Sequence, residues 1–356
     1  MPSLFDPLKV GALTLPNRIV MAPLTRSRAL PESRVPSGLA VEYYRQRASA
    51  GMILTEATSV TRMGVGYAAT PGIWSDAQTA GWKKVTQAVH GAGGRILLQL
   101  WHVGRISDPI FLNGDTPVAP SAIKPAGHVS LVRPEKEYVT PRALATEEIP
   151  GIIATYRKGA ENAKAAGFDG VEIHGANGYL LDQFLQDKTN HRDDAYGGTR
   201  EKRARLMLEV ADNVVEVWGA DRVGMHLAPR MDSHDMGDSD GLGTFTYVGR
   251  ELGKRGLAFI CAREAVKSDS IGPAIKEAFG GVYIANEGFS RESAEQVISA
   301  GEADAVAFGK LYIANPDLPE RFAGAASLNA PDPSTFYAPG PQGYTDYPAL
   351  ELAGAR

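Results

Sequence analysis

The sequence predicts a (β/α)8 barrel, with an N-terminal hairpin cap and a long insertion after the third strand. Two patterns predict it: eight short apolar runs rich in Val, Ile and Leu, and helix-length amphipathic segments between them. The runs are residues 18–24, 52–59, 95–102, 170–174, 222–228, 257–262, 281–285 and 303–308. The predicted helices are residues 37–50, 76–92, 146–166, 199–218, 244–255, 271–279 and 290–300, and an eighth begins near Pro316.

The number of these units favours a closed barrel over the alternative, an open doubly wound sheet. Right-handed crossovers bring successive strands together, and closure leaves no exposed sheet edge. Residues 8–15 also favour closure, because their alternating pattern around a central Gly predicts a hairpin that could plug the barrel bottom. Since barrels of this length are often single domains, we expect one domain over residues 1–356.

Two long segments do not fit the strand and helix rhythm. Residues 104–142 contain six prolines, and residues 330–348 are rich in Pro, Gly and Tyr. Long loops without structure of their own are usually binding loops or lids. Both segments would border the active site of a barrel if they fold over the carboxyl ends of its strands.

The composition is 44% hydrophobic and 22% charged, with a net charge of −4, which is typical of a soluble globular protein. The absence of a basic block argues against a nucleic-acid partner, and no apolar stretch reaches the ~20 residues that span a bilayer. We therefore expect a cytoplasmic protein, either a monomer or a weak homodimer. Cys261 is the only cysteine, which excludes an intramolecular disulfide or a cysteine-ligated iron–sulfur cluster.

The residues after the fourth apolar run carry the clearest chemistry. His174 and Asn177 could direct two hydrogen-bond donors at one carbonyl oxygen, which would stabilise negative charge developing there, and Tyr179 offers a proton. The alternative is structural: His174 caps the strand, Asn177 supports an Asn-Gly turn and Tyr179 packs under the insertion.

Other strand ends add features that suit a flat, phosphorylated ligand. Pro23 and Leu24 form an apolar ledge beside the Thr25 hydroxyl, and the third run supplies the amide of Gln99 and the aromatic wall of Trp101. Gln99 alone could equally be barrel packing. The turns after the last two runs contain Gly288 and Gly309, where barrels commonly bind phosphate, and Lys310 adds a positive charge.

Five motifs occur in order along the chain: NRIVMAPLTR at 17–26, QLWHVGR at 99–105, HGANGY at 174–179, DDAYGG at 193–198 and ANPDL at 314–318. With them the sequence resembles the Old Yellow Enzyme family of FMN-dependent ene-reductases over essentially its whole length. The resemblance implies that NAD(P)H reduces FMN, which then passes hydride to the β-carbon of an unsaturated carbonyl compound, a maleimide or a nitroalkene.

The resemblance also implies a role for each site residue. The FMN contacts are Pro23, Leu24, Thr25, Ala57, Gln99, His226, Asn286, Gly288, Phe289, Gly309 and Lys310. The substrate contacts are Tyr67, Trp101, His174, Asn177 and Tyr337. His174 and Asn177 would hold the activating group, and Tyr179 would protonate the α-carbon.

Two positions depart from the family pattern. His226 stands in the motif VGMHL at 223–227, where the family has an arginine beside the flavin, and Arg230 offers a substitute cation. Glu287 stands where a small residue is usual, close to the expected phosphate.

Two other function classes compete with this interpretation. A metal-dependent hydrolase would need clustered histidines and carboxylates at strand ends, whereas the seven histidines are scattered along the sequence. A flavin-binding barrel without activity would explain His226 and Glu287, but the intact His174, Asn177 and Tyr179 argue against it.

Overall fold

The computed structural model describes residues 1–265 and 267–350. Its strands are β1 Leu8–Val10, β2 Leu13–Leu15, β3 Ile19–Met21, β4 Met52–Leu54, β5 Thr58–Ser59, β6 Ile96–Trp101, β7 Val118–Ala119, β8 Arg142–Ala143, β9 Gly170–His174, β10 Val223–Leu227, β11 Phe259–Arg263, β12 Val282–Asn286 and β13 Ala305–Phe308. Its α-helices are α1 Gly38–Arg45, α2 Asp76–Gly91, α3 Ile149–Ala165, α4 Leu180–Leu185, α5 Arg200–Trp218, α6 Gly241–Lys254, α7 Gly272–Phe279, α8 Arg291–Ser299, α9 Lys310–Ala314 and α10 Leu318–Ala323.

Eight parallel strands close into a barrel, which confirms the predicted fold class. Their order around the barrel is β3, β4, β6, β9, β10, β11, β12 and β13, and β13 then pairs with β3. The predicted second run is divided into β4 and β5, which are separated by residues 55–57.

The N-terminal hairpin closes the lower end of the barrel. Val10 and Leu15 pack against Leu97 and Phe259 in the inner core, and the Ala12 amide donates to the Asp221 carbonyl oxygen at 2.8 Å. Gly11 has φ +52, and a Cβ there would lie 2.0 Å from that same oxygen, so only glycine fits. The predicted hairpin cap is confirmed.

The helices follow from local sequence signals. Ser75 begins α2 with a capping box in which its side chain accepts from the Gln78 amide, and the helix buries Trp82, Val85 and Val89 against the barrel. Ser290 caps the start of α8, as predicted, and its side chain accepts a hydrogen bond from the Ser293 amide. Both caps satisfy amide groups that a helix leaves unpaired in its first turn.

Several helices differ from the prediction: α1 ends at Arg45 rather than at residue 50, and α6 begins at Gly241 rather than at residue 244. Helix α4 was not predicted, because all six of its residues are buried and therefore show no amphipathic pattern. Helix α9 was also not predicted, and α10 begins at Leu318 rather than near Pro316. Residues 146–148 form a 3-10 turn before α3, where a continuous helix was expected.

The insertion and the tail both fold towards the carboxyl ends of the strands. Val129 and Tyr138 of the insertion pack in one apolar cluster with Trp101. Arg28 binds the tail by donating to the carbonyl oxygens of Thr335 at 2.9 Å and Gly340 at 2.9 Å. Over residues 1–265 and 267–350, the helices are all too short or too polar to cross a membrane.

Candidate active site

A cavity of about 900 Å³ lies at the carboxyl ends of the barrel strands. All the residues predicted to contact FMN line it: Pro23, Leu24, Thr25, Ala57, Gln99, His226, Asn286, Gly288, Phe289, Gly309 and Lys310. Four of the five predicted substrate contacts also line it, together with the predicted proton donor: Trp101, His174, Asn177, Tyr337 and Tyr179. The fifth, Tyr67, lies behind Tyr179, with the two phenol oxygens 2.9 Å apart.

His174 ends β9 and is neutral at physiological pH. Burial, with the nearby His226 and Arg263, lowers the pKa of its imidazole well below the ordinary value. Its Nδ1 accepts from the Ala176 amide at 3.3 Å, so in the neutral ring the proton is on Nε2. The His174 side chain can therefore donate one hydrogen bond into the cavity.

Asn177 lies in the turn that follows β9, at a φ of +57, a left-handed conformation that Asn adopts more readily than most residues. Its Oδ1 accepts from Arg263 Nη1 at 3.3 Å, which leaves its Nδ2 group available as a donor. His174 and Asn177 thus line the same cavity with one available donor each.

Tyr179 is a partly buried phenol that keeps its proton. Burial raises its pKa above the ordinary tyrosine value, an effect that the hydrogen bond to Tyr67 partly opposes. Its ring stands nearly perpendicular to those of Trp101 and His174, each with its centroid 5.0 Å away. The phenol is thus held by aromatic contacts on two sides.

His226 lines the cavity and contacts the barrel interior. Its Nδ1 lies 3.4 Å from Glu172 Oε1, and Glu172 Oε2 accepts from Gln99 Nε2 at 2.7 Å. Cys261 lies nearby, with potential ligand atoms of Glu172, His226 and Cys261 all within 4.8 Å of one another. The sequence did not predict this grouping, because the three residues come from different strands.

The cavity suits FMN at both of its ends. Pro23, Leu24 and Ala57 provide an apolar surface for a flat ring, and a Cβ at Gly309 would lie 3.3 Å from Leu24 Cδ2, so a larger residue would crowd that contact. Lys310 supplies a positive charge where the loops after β12 and β13 meet. The volume of the cavity is also within the ~300–1,000 Å³ usual for ligand sites.

Arg230 does not provide the substitute cation suggested by the sequence. Its guanidinium is bound by Glu264 at 3.5 Å and Asp269 at 2.9 Å, and it is not among the residues that line the cavity. The arginine that does line the cavity on this side is Arg263, the last residue of β11. Arg263 directly follows the apolar run 257–262, which is where residues of the site are expected. It was nevertheless not among the predicted site residues.

Comparisons with known proteins agree with this geometry. Residues 3–329 match the model of the NADH:flavin oxidoreductase / NADH oxidase family. The chain is 41% identical to 12-oxophytodienoate reductase 2 of Arabidopsis thaliana, over 98% of this chain and 96% of that protein. It is 43% identical to 12-oxophytodienoate reductase 1 of Oryza sativa subsp. japonica, with 98% and 93% covered.

Solved structures show the same similarity. A structure of morphinone reductase in complex with tetrahydroNAD superposes with a TM-score of 0.96 at 49% identity, and each chain is fully covered. The old yellow enzyme homologue from Zymomonas mobilis superposes with a TM-score of 0.95 at 44% identity, covering 98% of this chain and 100% of that one. The chain therefore belongs to the NADH:flavin oxidoreductase / NADH oxidase family and is an FMN-dependent ene-reductase of the Old Yellow Enzyme type.

Proposed function

We propose that this enzyme reduces activated carbon–carbon double bonds with NAD(P)H, and that Tyr179 protonates the α-carbon. Its substrates are α,β-unsaturated carbonyl compounds, maleimides and nitroalkenes. The observation that carries the proposal is the grouping of two available donors, on His174 and Asn177, with a protonated phenol on the wall of one cavity. The complex of morphinone reductase with tetrahydroNAD supports a nicotinamide donor.

FMN would be held at both ends of the cavity. Pro23, Leu24 and Thr25 would contact the ring, and Gly288, Gly309 and Lys310 would contact the phosphate. When bound, FMN would supply the chemistry of hydride transfer between NAD(P)H and the β-carbon of the acceptor. We also propose that residues 1–356 form one catalytic domain and that the protein acts as a monomer or a weak homodimer.

His174 and Asn177 would bind the activating carbonyl or nitro group. Both present neutral N–H donors, which can stabilise the negative charge that develops on an acceptor oxygen as its β-carbon is reduced. The Ala176 amide fixes the tautomer of His174, and Arg263 fixes the orientation of the Asn177 amide. The donors are thus oriented before the acceptor binds, which avoids reorganisation during the reaction.

Tyr179 would transfer the proton from its phenol oxygen to the α-carbon. The raised pKa keeps that proton in place at neutral pH, and the adjacent Tyr67 hydroxyl can stabilise the phenolate left behind. Tyr179 packs against the apolar cluster that contains Val129, Tyr138 and Trp101, which would limit access of water on this side.

An isotope experiment tests this function. Purified holoenzyme is given NADPH or NADH with 2-methylcyclohexenone in D2O, and the product is analysed by NMR and mass spectrometry. We expect one deuterium at the α-carbon and hydrogen from the nicotinamide at the β-carbon. Reduction of the bound FMN by NAD(P)H without any reduction of the enone, the maleimide or the nitroalkene under anaerobic conditions would exclude the proposal.

A further inference from the structure

The proposed reaction leaves one charged pair in the cavity unexplained. Arg263 and Glu287 both line the cavity, and Arg263 Nη2 donates to Glu287 Oε1 at 3.0 Å. The same guanidinium contacts Asn177 Oδ1 through Nη1 at 3.3 Å. The pair therefore lies directly beside the amide proposed to bind the acceptor carbonyl.

Glu287 is directed at Arg263 by an unusual backbone conformation. Its φ is +100, in a region that residues with a side chain rarely occupy, and Gly288 follows with φ +78. A glycine at 287 would adopt this conformation without strain, yet the chain carries a carboxylate there. The sequence suggested that the Glu287 carboxylate would repel the phosphate of FMN. In the structure this carboxylate is bound by the Arg263 guanidinium.

The ion pair is accessible and can be exchanged. The side chains of Arg263 and Glu287 are 35% and 36% exposed, so solvent and ligands can reach both. An ion pair that is exposed to this extent contributes little net stability. An incoming carboxylate can therefore replace Glu287 on the planar guanidinium, which binds carboxylates through two parallel N–H groups.

We propose that Arg263 forms an anion subsite for acceptors that carry a carboxylate a few atoms from the reducible double bond, and that Glu287 occupies this subsite until such an acceptor displaces it. The inference rests on the proposed function, because it places the acceptor carbonyl at His174 and Asn177. Other cations that line the cavity lie in the helices α8, α9 and α10: Arg291, Lys310 and Arg321. Arg263 is the cation that contacts Asn177.

Binding of two matched, unreactive ligands tests the subsite. N-carboxymethylsuccinimide and its methyl ester share an imide and differ by one negative charge, and neither has a double bond to reduce. Dissociation constants are measured by calorimetry with oxidised holoenzyme of equal FMN content. We expect the acid to bind about tenfold more tightly than the ester, the size of effect that one charge-assisted bidentate contact provides.

Substitutions of Arg263 and of Glu287 should have opposite effects on binding of the acid. Arg263→Gln also releases the Asn177 amide, so it should weaken both ligands, and binding of the acid about tenfold more than binding of the ester, whereas Glu287→Gln should strengthen binding of the acid several-fold. When Arg263 is already replaced by Gln, adding Glu287→Gln should not change binding of the acid. The guanidinium for which Glu287 and the acid compete is then absent. Arg230→Gln, which removes a cation bound by Glu264 and Asp269, is the matched control and should leave both ligands unchanged.

The outcomes separate this inference from the proposed function. Equal binding of acid and ester, or equal weakening of both by Arg263→Gln, would overturn the subsite while leaving the ene-reductase proposal intact. If Asn177→Ala also leaves binding of the ester unchanged, the carbonyl is not bound where proposed, and both inferences fail. Weaker binding of the acid after Glu287→Gln would likewise overturn the subsite, because Glu287 would then support the ligand rather than compete with it.

Discussion

The phenol oxygens of Tyr67 and Tyr179 lie 2.9 Å apart, so the proposed proton donor has a second phenol as its hydrogen-bond partner. The Tyr67 ring stacks on Trp101 at a centroid distance of 5.5 Å, and burial raises its own pKa well above the ordinary value. Tyr67 therefore remains a neutral donor or acceptor and holds the Tyr179 hydroxyl in a defined direction. Its contribution can be separated from that of Tyr179 by mutation.

Replacing Tyr179 with Phe should slow reoxidation of the reduced enzyme by an enone by about 10² to 10⁴, because general acid catalysis is lost. Reduction of the enzyme by NAD(P)H should remain nearly unchanged, because that step needs no proton from Tyr179. Anaerobic stopped-flow absorbance measures the two half-reactions separately. Equal slowing of both would contradict the assigned role, and a nitroalkene should be less affected because its nitronate product can be protonated in water.

Replacing Tyr67 with Phe should have a smaller effect on the same step, about tenfold, because the acid remains and only its hydrogen-bond partner is lost. The pH profile of the enone half-reaction should change as well, since the phenolate left on Tyr179 loses a donor. A change in the reduction of the enzyme by NAD(P)H alone would show that Tyr67 acts elsewhere.

Replacing His226 with Arg should tighten FMN binding and raise the cofactor's reduction potential. A permanent cation beside the cofactor stabilises its anionic reduced form. Titration of the apoprotein with FMN detects a tenfold gain, about 1.4 kcal/mol, and dye equilibration measures the potential. His226→Gln is the neutral control and should change both quantities in the opposite direction or not at all. Unchanged affinity and potential in the Arg variant would mean that His226 is not beside the flavin.

His102 should make the folded protein less stable in acid. Burial lowers its pKa from 6.5 to about 3, so the unfolded chain binds a proton over a pH range in which the folded protein does not. Stability that is present above pH 6.5 is lost as the pH falls towards 3, at roughly 1 kcal/mol per pH unit. Denaturant unfolding of wild type and His102→Gln between these limits measures the difference in slope. Parallel stability curves would contradict the prediction.

Replacing Arg28 with Ala should loosen the tail and raise the KM for the acceptor. Arg28 donates to four tail carbonyl oxygens, those of Thr335, Phe336, Gly340 and Gln342. Phe336 and Tyr337 line the cavity, so a detached tail would remove part of its wall. Hydrogen exchange should increase across residues 335–343 without a comparable change in the barrel strands. Unchanged exchange in this segment would show that other contacts hold the tail.

The parts of the structure predicted from sequence are those that depend on local patterns. Apolar runs gave the eight barrel strands, because a strand covered on both faces needs no polar residue. The cavity residues followed from their positions just after the runs, since parallel strands end at one edge of a barrel. Helix α4 escaped prediction because burial on all sides removes the periodicity that identifies a helix.

The parts that were missed depend on contacts between residues far apart in sequence. Arg263 contacts Asn177 and Glu287, which are 86 and 24 residues away, and nothing near Arg263 in the sequence identifies either partner. Arg230 looked like a free cation, but Glu264 and Asp269 bind it from another loop. The direction of a long charged side chain is decided by such partners, and so it cannot be predicted from local sequence.

The contact between the loop after β3 and the tail also has a consequence for folding. Arg26 Nη2 donates to the Gly343 carbonyl oxygen at 2.8 Å across 317 residues, so this contact can form only after all eight barrel strands have been synthesised. Phe336 and Tyr337 of the same tail line the cavity, so this part of its wall is completed later than the barrel strands that form its base. A contact that closes so long a stretch of chain raises the contact order, and folding is slower as a result.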